Sequence, residues 1–122
     1  MPEDALGQVL KKRRQISITV IGRRTGRFIT RPVWFVFEGS ALWLLPVTGS
    51  NTQWYRNLKV NRAIGIRVGN ERHNLRARLC QDQRVVRKVI QSFREKYTAP
   101  EIKRWYTDLD VAVQVSFRIR RT

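Results

Sequence analysis

ISITVIGRRTGRFITRPVWFVF, residues 16–37, carries two strand patterns around one glycine-bracketed turn. From Gln15 to Ile21, Ile16, Ile18 and Val20 alternate with Ser17 and Thr19, the period of a half-buried strand. Phe28 to Phe37 is aromatic and β-branched, and Pro32 places it at a sheet edge or a bulge. Between them stands Gly22-Arg23-Arg24-Thr25-Gly26. Glycine at both ends lets the chain reverse and brings amide N–H groups close to a ligand. Arginine adds a planar fork matched to phosphate or carboxylate oxygens. The same residues also make a solvated hairpin tip, so the turn alone leaves two readings open.

Working outward, Glu38-Gly39-Ser40 reads as a turn into a third strand, Ala41 to Leu45, giving an antiparallel meander. Pro46 to Asn51 is a loop leading into a short helix, Thr52 to Val60. Ala63 to Val68 alternates, Gly69-Asn70-Glu71 turns, and Arg72 to Leu79 alternates again. Asp82 caps a helix from Gln83 to about Tyr97, with Val86, Val89, Ile90 and Phe93 at helical spacing. Pro100 starts another short helix through Trp105, and Val111 to Ile119 is the last strand. Before all of these, Ala5 to Arg13 forms an amphipathic helix with Leu6, Val9 and Leu10 on one side. The pattern is mainly β with α insertions, and it lacks a βαβ rhythm. Six hairpin-connected strands around one core favour a small antiparallel barrel, because closure removes edges. At 122 residues a single domain, 1–122, is expected.

The formal charge of +16 is the outlying property of the composition. Arginine outnumbers lysine, which favours bidentate anion contacts. No carboxylate occurs between Asp4 and Glu38, whereas Lys11, Lys12, Arg13, Arg14, Arg23, Arg24, Arg27 and Arg31 all do. A positive field over this part of the fold follows. Protein-only catalysis finds little support. His73 is the only histidine and Cys80 the only cysteine, so neither a metal cluster nor a disulfide is expected. The carboxylates are scattered, and the glycines match neither a Walker nor a dinucleotide-binding fingerprint. Any reaction would be carried by a bound cofactor. Without a signal-like or membrane-spanning apolar run, a cytoplasmic location is expected. Nucleic acid is a competing partner on charge grounds, although the aromatics fall mostly at core-facing positions.

Thr19 to Gly26, with Arg31-Pro32-Val33-Trp34 and the later Trp54-Tyr55-Arg56-Asn57-Leu58 followed by Asn61, resembles the deazaflavin (F420)-dependent nitroreductase family. That family lies within the FMN-binding split β-barrel, or pyridoxamine-phosphate-oxidase-like, superfamily. The resemblance spans about Ile16 to Val68, and beyond it holds only in element order. It implies a six-stranded split β-barrel that passes a hydride from reduced coenzyme F420 to a small quinone, nitro compound or enone. FMN on the same turn is the alternative cofactor. Arg23, Arg24 and Thr25 match positions that contact the cofactor's anionic tail. Ile29, Thr30, Arg31, Pro32, Val33 and Trp34 match a strand that lines it. Leu45, Pro46, Val47 and Thr48 match a segment beside the ring system. Gln53, Trp54, Tyr55, Arg56 and Asn57 match the helix start that closes over phosphate or ring. Coenzyme F420 carries a phosphodiester and glutamate carboxylates, which suit an arginine-rich face. The loop from Thr48 to Gln53 is shorter than in the characterised nitroreductases. The late tyrosine region has no unambiguous match, which leaves Tyr97 and Tyr106 as candidate proton donors. The resemblance further implies a homodimer.

Overall fold

Strand β1, Ile16–Ile21, buries Ile16, Ile18 and Val20 and leaves Ser17 and Thr19 half-exposed, as its alternation predicts. In the computed structural model, which describes residues 3–117, β2 (Phe28–Val33) returns antiparallel along it from Ile21↔Phe28 to Ile16↔Val33. The remaining strands are β3 (Val36–Glu38), β4 (Ala41–Leu44), β5 (Ala63–Val68), β6 (Glu71–Cys80) and β7 (Ala112–Ser116). The helices are α1 (Glu3–Lys12), α2 (Gln53–Val60), α3 (Gln83–Tyr97) and α4 (Ala99–Trp105). All strand pairs are antiparallel, in the order β2-β1-β5-β6-β7-β4-β3. This is the curled sheet of a split barrel with short helices.

Two expectations are corrected. The run from Phe28 to Phe37 is not one strand: it breaks at Trp34 and Phe35, so six expected strands become seven. Nor does a meander form, because β4 pairs with β3 and β7 and never meets β2. The reason is closure. β2 and β3 sit at opposite ends of the strand order yet are joined by Trp34 and Phe35 alone. A sheet whose ends are tied by so short a link must curl until those ends approach. Long β6 makes the bend, pairing with β5 through Arg76 and with β7 from Ala77 onward. The helices start close to the expected places. Asp82 Oδ1 accepts from the Arg84 amide at 2.9 Å at the head of α3, and Thr98 precedes α4. Of the last expected strand, residues 118 and 119 lie outside the described residues.

Inside the curl, Leu10 of α1 packs with Ile18, Leu42, Leu44, Leu58, Ile64, Ile66 and Val115, all fully buried. A second cluster, Val86, Phe93, Tyr97, Ile102 and Tyr106, lies under α3 and α4. It holds the closing link. The Tyr97 hydroxyl accepts from the Phe35 amide at 3.0 Å and faces the carbonyls of Arg14 and Phe35 at 2.6 and 2.9 Å. Its ring stacks on Trp34 with centroids 4.4 Å apart. Next to it, Lys96 donates to the Phe35 carbonyl at 3.0 Å and lies 3.6 Å over the Phe35 ring. Cys80 is half-buried among these residues, and burial raises its thiol, in line with a packing role. His73 stands 3.5 Å from Glu71 and edge-on to Phe117. No described helix is long and apolar enough to cross a membrane.

Tyr97→Phe should cost about 2 kcal/mol of unfolding free energy in urea titration, because it strips buried backbone groups of their partner. The pH dependence has a definite sign. Burial, reinforced by Arg14, brings the Lys96 ammonium down from 10.5 to about 8. Between those values the unfolded chain binds more protons, so stability rises with pH. Burial also lifts Tyr97 from 10.0 to about 12 and raises Tyr106, so stability falls again above the usual tyrosine range. Thermal denaturation should therefore peak near pH ~10, and Lys96→Met should abolish the rising limb.

Candidate functional site

The Gly22–Gly26 turn is closed by its own backbone. The Gly22 amide donates to the Arg27 carbonyl at 2.8 Å, and the Gly26 amide to the Gly22 carbonyl at 2.9 Å. Thr25 Oγ1 accepts from the Arg27 amide at 3.2 Å. Gly26 adopts φ +72°, where other residues are strained. What fixes the turn in space is Asn57 of α2, the one polar residue in the buried set of the described residues at 4% exposure. Its Oδ1 accepts from the Arg23 amide at 3.1 Å and from Arg23 Nη1 at 2.7 Å. Arg23 Nη2 donates to Gln53 Oε1 at 2.8 Å. The two segments that carry the sequence resemblance are thus physically latched together.

The latch also engages the Arg23 side chain, whose guanidinium is bound to α2 within the protein. Desolvation holds it below the ordinary arginine range, with Arg56 and Arg24 adding like-charge repulsion. Arg24, Arg31 and Arg56 remain exposed around it. Arg31 Nη1 donates only to the neighbouring Thr30 carbonyl, at 2.9 Å.

Beside the latch lies a cavity of about 530 Å³ lined by the turn, Ile29, Arg31, Pro32, Val47, Thr52, Gln53, Trp54 and Asn57. A second cavity, also about 530 Å³, is lined by Gln15, Pro32, Val33, Trp34, Leu45, Val47, Trp54, Trp105 and Tyr106. Pro32, Val47 and Trp54 belong to both, so the two form one cleft with a cationic end and an aromatic end. Trp34, stacked on Tyr97, is a rigid wall of the aromatic end. Tyr106 is 7% exposed there, and burial keeps its hydroxyl protonated.

The structure therefore brings together Arg23, Arg24, Thr25, Ile29, Arg31, Pro32, Val47, Gln53, Trp54 and Asn57 at one end. Val33, Trp34, Leu45 and Tyr106 line the other. The other expected residues do not line it. Thr30 shares a 2.9 Å hydroxyl contact with Thr19, and Thr48 a 3.0 Å one with Thr52. Pro46 is buried, Arg56 is exposed on α2, and Tyr55 is a core residue at 1% exposure. Tyr97 stands behind Trp34 with its hydroxyl taken up by backbone groups, which places it in support of the cleft wall. Trp105 was missed. It is 56% exposed at the end of α4, with the Arg104 guanidinium 5.3 Å from its ring, and only the fold shows what it faces.

The family model for F420H(2)-dependent quinone reductase matches residues 2–119. No curated protein matches the chain. Among solved structures, a conserved hypothetical protein from Mycobacterium tuberculosis superposes with TM-score 0.75 at 18% identity, over 99% of this chain and 82% of that one. An F420-H2 dependent reductase gives TM-score 0.66 at 20% identity, over 85% of this chain and 95% of that one. A putative pyridoxamine 5'-phosphate oxidase from Listeria innocua gives 0.72 at 14% identity, over 97% and 95%. At these identities the structures share the split-barrel fold with this chain.

Asn57→Ala leaves the Arg23 amide and guanidinium without their shared acceptor. It should lower unfolding free energy by about 1–3 kcal/mol in urea titration. Amide hydrogen exchange should quicken across residues 22–26 and leave β6 and β7 protected.

Proposed function

We propose, because this chain belongs to the F420H(2)-dependent quinone reductase family, that it reduces a flat quinone in the aromatic end of the cleft while coenzyme F420 is held along the cationic end. The chain is an oxidoreductase and its cofactor is F420, as the family's are. One observation carries the assignment of the site. A single cleft changes from arginine and amide to tryptophan and tyrosine across the shared wall of Pro32, Val47 and Trp54. A flat acceptor at the aromatic end beside a cofactor with an anionic tail at the cationic end suits that sequence of surfaces.

Arg24 and Arg31, exposed at the cationic end, hold phosphodiester and carboxylate oxygens together with Thr25 and the amides of the turn. Arg23 keeps the turn against α2 and contributes charge from behind. Arg56 extends the positive field along the helix. When bound, reduced F420 supplies a hydride. Trp34, Trp54, Trp105 and Leu45 exclude water and orient a flat acceptor. Reduction of a quinone to its hydroquinone consumes one proton besides the hydride. Tyr106 keeps a proton at its Oη on that side of the cleft. Nitro compounds and enones would compete for the same end. The homodimer belongs to this reading and is checked by sedimentation.

Fluorescence titration with F420, and in parallel with FMN, tests the cofactor site. Micromolar F420 binding is expected, and failure of both coenzymes to bind sinks the proposal. Arg24→Glu/Arg31→Glu should weaken F420 by about 100-fold with an unchanged melting temperature. Arg23→Glu should lower both affinity and stability, because it also opens the latch. Trp105→Ala should raise KM for menadione about tenfold and leave the F420 affinity in place.

A further inference from the structure

The cleft uses only a small part of the charge. The outer face of β2-β1-β5-β6 is set by register: Ser17 pairs with Arg67, and Arg67 with Arg72. In the next row Thr19 pairs with Gly65, and Gly65 with Asn74. Beyond them, Ala63 pairs with Arg76, and Arg78 follows on β6. Arg67, Arg72, Arg76 and Arg78 are all exposed. Small side chains and Gly65 occupy the middle, and the Arg72 guanidinium lies across Gly65, where a Cβ would stand 3.6 Å from its Nε. The Arg13 guanidinium reaches the adjoining turn at Gly69.

Two features mark this face as a binding surface. Arg67 and Arg72 are directly opposed across the strand pair, an arrangement that costs stability. No carboxylate relieves it: among the described residues no Asp or Glu lies within ion-pair distance of Arg67 or Arg72, while Asp82 pairs with Arg84 and Glu101 with Arg14. We infer that the outer face of β5 and β6 binds the phosphate backbone of a nucleic-acid strand, apart from the cofactor cleft. Three guanidinia along β6 with the Asn74 amide among them, and Arg67 opposite on β5, complement a linear chain of phosphates. A second copy of this chain would set arginine against arginine. An anionic bilayer calls for inserted apolar side chains. The exposed large ones, Val47, Val60 and Trp105, lie away from the row, and Phe28 is on the far edge strand.

The test is fluorescence anisotropy of the full chain with a labelled mixed-sequence single-stranded DNA over a range of salt. Affinity should fall with a log–log slope of about −3, the value for four or five phosphate contacts to a single strand. Arg67→Gln/Arg72→Gln/Arg76→Gln/Arg78→Gln should flatten that slope to near zero while retaining F420-dependent reductase activity, which shows that the variant is folded. The charge-matched Arg84→Gln/Arg87→Gln/Lys88→Gln/Arg94→Gln on α3 should keep the slope. Should the fourfold sheet variant not fold, Arg72→Gln alone is read. It should reduce the slope by about 0.7 and raise the melting temperature at low salt by relieving the Arg67 contact. Salt-independent binding overturns the inference, as does equal loss in the α3 variant. So does tighter binding to phosphatidylglycerol vesicles than to DNA through the same arginines.

Discussion

The link of Trp34 and Phe35 constrains everything else in this molecule. It ties the two edge strands of a seven-stranded sheet and forces the curl that creates an interior. It also turns Trp34 out of the strand ladder and into the cleft, where Tyr97 backs it. Its backbone is gripped by Tyr97 and Lys96, neighbours at the end of α3. The end of α3, more than sixty residues beyond the link, therefore decides whether the barrel closes and how the aromatic wall stands. Fold and site share one fastening, with burial of Leu10, Ile18, Ile66 and Val115 supplying the driving force beneath it.

Against that frame the cationic end is built by division of labour among arginines. A buried carboxamide fixes Arg23, and the fixed Arg23 fixes the turn. Arg24 and Arg31 are thereby left with open forks at a defined place. Preorganisation of this kind lowers the ordering cost when an anion arrives, since the loop has already been immobilised by folding. Around Arg23, desolvation and then the like charges of Arg56 and Arg24 weigh against its own charge.

Much of this was legible in the sequence wherever local rules suffice. Alternation gave β1, β5 and β6, and Asp82 and Pro100 marked the starts of α3 and α4. In the sequence Pro32 marks an edge or a bulge, and its strand β2 is an edge strand. The break at Trp34 was not legible, because residues 28–37 are uniformly strand-like and only long-range closure distinguishes their halves. For the site, residue types singled out the basic turn as a candidate anion holder but not which arginine is engaged within the protein. That depends on Asn57, which lies 34 positions from Arg23. Trp105 went unassigned for the same reason, since a short helix does not announce what stands opposite its last residue. Tyr97 and Tyr106 look alike in sequence, and burial geometry alone separates a structural post from a cleft residue.

Pro32 has one more consequence. The cleft needs β2 to remain an open sheet margin, and an open margin offers unpaired amides and carbonyls to any passing extended chain. A helix laid over it would close the cleft that Pro32 lines. A proline there deletes the donor that an added strand would require, and Arg31 beside it adds a repelling charge. The residue that forms the shared wall of the cleft thus also guards the chain against strand-by-strand aggregation, so that accessibility to a small molecule is kept separate from accessibility to another polypeptide.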